Sequence, residues 1–431
     1  MFILSLLIIS IRKNKNIFQY FILAVYALYF YLPALLLGTI NNASDYVKYY
    51  ISLSLVLSLV FAKALEKIYI NKAKAMLDYD SENKKSTDIR YIGELLIFFS
   101  VVVNIIPILI GMPRNHLIQN PDVGIIAQIC WQAQSTLNVL MPIVAGKVIC
   151  NKVSNRENRI IALLLLILPI SSGIIAGSKG EVILGMIIFL IAGSISLGSF
   201  SLFILKNKYM LIWIIIIAVI AFLFVTFKRL DQDQKLFDSL SIGADGSVVI
   251  MFYYLILGRF DFLSIFQSAY NIGADSFPFF LNGASYLHLF DGLLPTSLFP
   301  RNNSNLGGEF GVALGLITDP MESSVAMTWL IESWVAFGLI GAIIPVIFLL
   351  PSLLIKRSIN QKASIFKIFL FISSPFISTF ETNASFGFVR WFKQIIFAYA
   401  IYNLSNIFVK ILRKSQHISL LKNTEYTLEK I

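Results

Sequence analysis

The sequence predicts an all-α polytopic membrane protein of about 10 to 12 transmembrane helices, with one large extracytoplasmic loop of short helices. The composition is 57% hydrophobic and 14% charged, and the mean hydropathy is +0.77, whereas a soluble domain carries about 25% charged residues. Apolar segments recur from residue 17 to 227 and again from 325 to 412. A mixed segment, residues 228–324, interrupts them, and we expect the chemistry of the protein to lie there.

Most predicted spans are near the roughly 20 residues that a tilted helix needs to cross a bilayer. Phe2–Ile11 is apolar over half a span and has no small-residue cleavage site, which favours a short first helix over a cleaved signal peptide. The predicted spans are Ile17–Ile40, Tyr49–Ala62, Tyr91–Met112, Gly124–Cys150, Ile160–Ala176, Val182–Leu205, Met210–Phe227, Val325–Ile355, Ile365–Phe380 and Phe388–Leu412.

The distribution of positive charge predicts the orientation, because loops rich in Lys and Arg stay in the cytoplasm. One set of alternate loops holds 25 of the 35 Lys and Arg residues, and the other set, which includes the large loop, holds 10. The sequence therefore predicts an N-terminal transmembrane bundle (1–227), an extracytoplasmic loop (228–324), C-terminal transmembrane helices (325–412) and a cytoplasmic tail (413–431).

The net charge of +11 does not indicate a nucleic-acid-binding protein. Most positive residues lie in the cytoplasmic loops and tail, where they anchor the topology and contact anionic lipid headgroups. The large loop has the opposite balance, with 5 Lys and Arg against 10 Asp and Glu. The three histidines are far apart and have no metal-site spacing, so neither a metal nor another cofactor is expected.

Three cations near the predicted outer face are candidates for binding phosphate. Lys179 lies in the turn Gly177-Ser178-Lys179-Gly180 and is either a lysine that snorkels to water or a fixed phosphate ligand. Arg259 either pairs with Asp261 or binds a pyrophosphate through its planar guanidinium. Arg301 follows two prolines that constrain the backbone, and it is either an ordinary loop residue or a phosphate ligand.

Glu332 is predicted to lie about two turns inside a span. A carboxylate at that depth is costly unless it is paired or faces a wet cavity, so it belongs either to a functional site or to a structural contact between helices. Glu94, near the inner end of its span, is interpreted as structural. Arg390 lies at the outer mouth of the last span, and His288 of the large loop is either an acid or base near neutral pH or an ordinary loop histidine without a role.

With these residues in view, the chain resembles the O-antigen polymerases (Wzy-type) of the O-antigen ligase and polymerase superfamily. The resemblance consists of a glycine-flanked outer turn with lysine in place of the usual arginine, a proline-rich segment that ends in Pro-Arg, and a helix with the pattern Glu … Phe-Gly-x-x-Gly. The three matching segments are Gly177–Gly180, Leu294–Arg301 and Glu332 with Phe337, Gly338 and Gly341.

The resemblance implies a GT-C-like membrane glycosyltransferase in the bacterial plasma (inner) membrane, with its active site on the extracytoplasmic face. Its substrate would be an oligosaccharide repeat unit on undecaprenyl pyrophosphate, with a flippase and a chain-length regulator as possible partners. Fixed cations would stabilise the leaving pyrophosphate without a metal, and a carboxylate would orient or deprotonate the acceptor hydroxyl. The implied catalytic residues are Arg301, Glu332 and Lys179, and the implied substrate-binding residues are Arg259, Asp261, His288 and Arg390.

Two other functions stay open. One is an O-antigen ligase, which a catalytic histidine at His288 would favour. The other is a lipid-linked oligosaccharide flippase or other transporter, which would carry charged residues in many spans. Glu94 and Glu332 are the only acidic residues in the predicted spans, so the sequence favours the polymerase.

Overall fold

The structure, a computed structural model, describes residues 22–70, 86–112, 124–150, 156–228, 261–286, 306–316, 327–356, 359, 363–374 and 384–428, except residues 24 and 177. The chain divides into two compact units. The first unit contains Met1–Tyr79, Arg229–Lys356 and Ser374–Trp391, and the second contains Asp80–Lys228, Arg357–Ser373 and Phe392–Ile431.

Every regular element in these described ranges is helical. The first unit holds α1, α2 and α8 to α11, the second holds α3 to α7 and α12, and α13 begins in the first unit and continues in the second. In chain order the α-helices are α1 (Leu32–Leu36), α2 (Asp45–Ile70), α3 (Ser86–Leu109), α4 (Ile125–Ile149), α5 (Arg156–Ala176), α6 (Lys179–Leu197), α7 (Phe200–Lys228), α8 (Phe262–Ile272), α9 (Leu306–Ala313), α10 (Trp329–Phe337), α11 (Ile344–Lys356), α12 (Ile365–Ile372) and α13 (Ala384–Leu428).

Long apolar helices dominate the described part of the chain. Six of its helical segments are long and apolar enough to cross a membrane, which is the architecture of a multi-pass membrane protein and confirms the predicted class. These segments are Asp45–Ala64, Ile89–Leu109, Arg156–Ala176, Phe200–Val225, Trp329–Lys356 and Gly387–Ile411.

The second unit is built around α4, which is buried along most of its length and packs against α3, α5 and α6. Small residues let these helices approach closely. A Cβ on Gly146 of α4 would lie 2.8 Å from the backbone nitrogen of Gly193 in α6, closer than real side chains come. In the same unit, Arg90 forms ion pairs with Glu94 and with Glu157 of α5. The structural interpretation of Glu94 is therefore confirmed.

The predicted boundary between the spans Val182–Leu205 and Met210–Phe227 is wrong. The first helix ends at Leu197, because Gly198 takes the left-handed conformation with φ 74°, which favours glycine. The next helix begins at Phe200, and the predicted loop at 206–208 is reduced to a kink at Asn207 inside α7. The sequence placed the break at the lysines because charge is a stronger pattern than one glycine. In the predicted span Ile365–Phe380, α12 ends at Ile372, and residues 375–380 lie outside the described residues.

The predicted span Val325–Ile355 corresponds to the helical segment Trp329–Lys356, and the α-helix is interrupted within that segment. Helix α10 stops at Phe337, and Gly338 with φ 56° and ψ −137° starts a 3₁₀ segment, Gly338–Ile343, before α11. Irregular backbone at membrane depth is tolerated only where protein buries it or where it lines a cavity. The interruption directly follows α10, the helix that carries Glu332.

Aromatic side chains hold α2, α8 and α10 together. The ring of Phe266 in α8 packs against Tyr50 of α2 at 5.4 Å and against Trp334 of α10 at 5.4 Å. Tyr270, one turn further along α8, contacts Trp334 at 5.8 Å. These contacts hold α10, the helix that carries Glu332, against α8.

Candidate functional site

Glu332 is the buried carboxylate at the centre of the candidate site in the first unit. Thr328 caps α10 by accepting a hydrogen bond from the backbone N–H of Ile331 at 3.3 Å. Glu332 therefore lies in the first turn of the helix, and the prediction that it lies two turns deep is wrong. Its side chain is 0% exposed. An ionised carboxylate at a helix N-terminus interacts favourably with the helix dipole, which offsets part of the cost of burial.

Hydroxyl groups surround this carboxylate. Ser285, which follows the 3₁₀ segment Leu281–Gly283, donates a hydrogen bond to Oε1 of Glu332. The hydroxyl of Tyr286 is hydrogen-bonded to Oγ of Ser333 at 3.2 Å, and Ser333 donates to the carbonyl oxygen of Trp329. Sequence reasoning missed Ser285 and Ser333, because serines in apolar surroundings give no signal without their spatial neighbours.

The acidity of Tyr286 changes in this environment. Burial raises the pKa of the Tyr286 hydroxyl, and the negative charge of Glu332 raises that pKa further. The hydroxyl therefore stays protonated at physiological pH, and it can donate or accept a hydrogen bond but carries no charge. Its ring contacts that of Phe337 at 5.6 Å, beside the end of α10.

Tyr50 of α2 is a further polar group at this site. Its side chain is buried, and its hydroxyl has no hydrogen-bond partner among the described residues. A Cβ placed on Gly341 would lie 2.9 Å from the Tyr50 hydroxyl oxygen and 2.0 Å from the carbonyl oxygen of Ser333. Only glycine fits at position 341, and the Tyr50 hydroxyl therefore borders the interruption that follows α10.

Asp261 lies in the same unit and binds other partners. It is the N-cap of α8, and its side chain accepts hydrogen bonds from the backbone N–H and the hydroxyl of Ser264, at 3.2 and 2.6 Å. The hydroxyl of Thr39 donates to the same carboxylate at 2.7 Å. These three bonds account for a carboxylate that is only 4% exposed, and they give Asp261 a structural role at the start of α8.

The predicted cations are described less fully. Lys179 is the first residue of α6, after Ser178, which caps the helix; its side chain lies outside the described residues. Arg390 lies in α13 and is half-buried. Arg259, His288 and Arg301 lie outside the described residues, so their predicted roles stay predictions.

The second unit contains a carboxylate whose burial the sequence did not reveal. Glu181, in the first turn of α6, is 8% exposed and accepts a hydrogen bond from the side-chain amide of Asn138 at 2.9 Å. Asn138 in turn accepts from Gln134 at 2.8 Å, and the Gln134 amide contacts the hydroxyl of Ser100. Glu181 directly follows the turn around Lys179, and the sequence alone therefore indicates an exposed residue at the end of a helix.

Comparison of the chain with protein-family models, with curated proteins and with solved structures gives no match. The fold and the two polar clusters define the class, a helical multi-pass membrane protein with buried carboxylates on α6 and α10. The particular activity is therefore inferred from the residues themselves.

Proposed function

We propose that the chain is a membrane glycosyltransferase that polymerises lipid-linked oligosaccharide repeat units at the outer face of the bacterial plasma membrane. The bond between the anomeric carbon of the growing chain and its undecaprenyl pyrophosphate breaks, and that carbon bonds to a hydroxyl oxygen of an incoming lipid-linked unit. The proton of that hydroxyl passes to a carboxylate, and undecaprenyl pyrophosphate leaves. No nucleotide sugar is needed, because the pyrophosphate is the leaving group.

The buried carboxylate of Glu332 is the observation that carries this proposal. A general base must be held in a fixed orientation within hydrogen-bond reach of the proton it takes. Ser285 fixes one carboxylate oxygen, and the interruption at Gly338 ends the helix only six positions after Glu332. Irregular backbone in a membrane protein is tolerated where protein buries it or where it lines a cavity, and a carboxylate inside a membrane-spanning segment is by default a candidate for function.

Cations would stabilise the charge that develops on the leaving pyrophosphate. Arg301 and Arg259 belong to the segment that connects α7 to α10, the segment predicted to lie outside the membrane. Both can bind phosphate oxygens bidentately, whereas Lys179 would act as a point charge. Such fixed charges act without metal and without reorganisation during the reaction.

Replacement of Glu332 by glutamine tests the proposal, because the amide keeps the shape of the side chain but cannot take a proton. In cells that depend on this chain, we expect Glu332→Gln to give single repeat units in place of the ladder of long chains on a polysaccharide gel. Asp45→Asn is the matched control, since Asp45 lies in the first turn of α2 with a fully exposed side chain (105%). A normal ladder from a stably expressed Glu332→Gln protein would overturn the proposal.

A flippase or other transporter is the second candidate, and the polar network of the second unit favours it. A buried carboxylate that is hydrogen-bonded across helices inside a membrane bundle often marks a transport path. In a flippase, Glu181→Gln would abolish even the single repeat unit at the surface, because no unit would cross the membrane. In a polymerase, the single unit persists whenever polymerisation fails. The ligase alternative depends on His288, which lies outside the described residues.

A further inference from the structure

A small crevice opens in the second unit, where α3, α4 and α5 meet. Its polar lining consists of Asn104, Trp131, Gln134 and Ser172. Gln134 and Ser172 both belong to the network that leads to Glu181, since Asn138 accepts from Gln134 at 2.8 Å and approaches the Ser172 hydroxyl at 3.4 Å. The crevice is therefore the accessible end of a buried polar chain.

One side-chain donor and one backbone acceptor at the crevice lack their usual hydrogen-bond partners. The indole N–H of Trp131 is buried and has no hydrogen-bond acceptor among the described residues. Pro107 lies inside α3 and has no N–H, so it cannot donate to the carbonyl of Val103 one turn earlier. Val103 and Pro107 both line the crevice. The site thus combines a donor without a partner and an acceptor without its helical donor, which a bound hydroxyl group would satisfy together.

The size and rim of the crevice limit what can enter. Its volume is about 20 Å³, room for one or two water-sized groups, which suits a hydroxyl but not a whole sugar ring. Two further lining residues, Ile108 and Ile175, are 53% and 48% exposed on membrane-spanning helices. Exposed apolar side chains on such helices contact lipid, so the crevice opens towards the bilayer.

The charge of the lining decides the class of ligand. No Lys, Arg, Asp or Glu is among the described residues that line the crevice, so it offers no countercharge to a phosphate or an ammonium group. We propose that the crevice binds an uncharged hydroxyl group of an amphiphile, which inserts from the bilayer. This hydroxyl accepts hydrogen bonds from the Trp131 N–H and from the Gln134 amide or the Ser172 hydroxyl, and it donates to the carbonyl oxygen of Val103. This proposal does not depend on the polymerase activity.

Tryptophan fluorescence of the full chain in phosphatidylcholine nanodiscs tests the proposal. The probes are octyl β-D-glucoside below its micelle concentration, 1-monoolein, and dodecyl phosphate as the charged comparison. We expect a saturable spectral change with octyl glucoside or monoolein and none with dodecyl phosphate. A response to the glucoside alone identifies a sugar hydroxyl, a response to monoolein alone identifies a glycerol hydroxyl, and equal responses identify the shared chemistry.

Three variants locate the response. Trp131→Phe should abolish it, whereas Trp213→Phe, at a tryptophan of α7 that is 65% exposed, should leave it unchanged. Gln134→Leu should weaken the apparent affinity at least about tenfold, which corresponds to loss of about one hydrogen bond. If Gln134→Leu does not fold, Ser172→Ala takes its place. No saturable response, a stronger response to dodecyl phosphate, or a response that survives Trp131→Phe would overturn the proposal.

Discussion

The hydroxyl of Ser285 donates a hydrogen bond to the carboxylate of Glu332, although the two residues are 47 positions apart in the chain. Both groups are completely buried. The bond joins α10 to the segment that follows α8, and it fixes the orientation of the carboxylate on which the proposed activity depends.

We expect Ser285→Ala to destabilise the protein by about 1.5–3 kcal/mol, because a buried carboxylate loses a hydrogen-bond donor. Ser268→Ala is the control. Ser268 is exposed on α8, and its hydroxyl bonds only to the carbonyl of Ser264 in the same helix, so its loss should change stability by less than about 0.5 kcal/mol. Thermal unfolding of the detergent-solubilised variants checks this, and equal melting temperatures for the two would show that the Ser285 bond contributes nothing.

Tyr50→Phe should leave the stability unchanged or raise it. The hydroxyl group that this substitution removes has no partner among the described residues, and an unpaired buried hydroxyl is unfavourable. Tyr26→Phe makes a matched comparison. Tyr26 is equally buried in the same unit, but its hydroxyl is bonded to Ser54 at 2.8 Å, so its loss should cost about 1 kcal/mol. If the two variants lose the same stability, Tyr50 has a hydrogen-bond partner in the native membrane.

Arg301→Ala should abolish long chains while the protein stays in the membrane, since removal of one charge-stabilising donor typically lowers the rate by about 10²–10³. Arg301→Lys should also be defective, because an ammonium group does not reproduce the bidentate guanidinium. The measurement is the polysaccharide ladder together with an immunoblot of the membrane fraction. Normal chain length with Arg301→Ala would remove this residue from the mechanism, and loss of the single capped unit would indicate a ligase or a flippase.

The stability of the protein should respond to alkaline pH through Tyr286. Burial and the charge of Glu332 raise the pKa of this tyrosine above its ordinary value of 10.0. A group whose pKa is higher in the folded state leaves stability unaffected below the unfolded pKa, and stability falls as pH rises above about 10, where the unfolded chain loses the proton first. The melting temperatures of the wild type and of Tyr286→Phe, measured from pH 9 to pH 11, should therefore differ by a constant amount below pH 10 and converge above it, because only the wild type loses stability there. A difference between them that stays constant over this range would contradict the raised pKa.

The sequence alone determined the class of the protein and one local contact. Hydropathy predicts membrane-spanning helices because it depends only on the residues within each segment, and the six apolar helices of the described residues confirm that class. The Arg90–Glu94 pair is also a local feature, since residues four apart lie on one helix face. The seven residues proposed for the site came from local motifs, and of these the structure describes the side chains of Glu332, Asp261 and Arg390.

Only the tertiary structure decided which polar groups are buried together. Thr39 bonds to Asp261 across 222 positions, and Asn138 bonds to Glu181 across 43. The two partners of such a pair are too far apart for a short sequence pattern to include both. The local pattern therefore cannot show whether a carboxylate caps a helix, is hydrogen-bonded to a distant side chain or is available for catalysis. The helix break at Gly338 is similar, because Gly338 takes φ 56° there, and the sequence does not show that a Cβ on the nearby Gly341 would lie 2.0 Å from the carbonyl oxygen of Ser333. Burial and hydrogen bonding between distant segments therefore made Glu332 a candidate site and Asp261 a helix cap, although both are single carboxylates in the sequence.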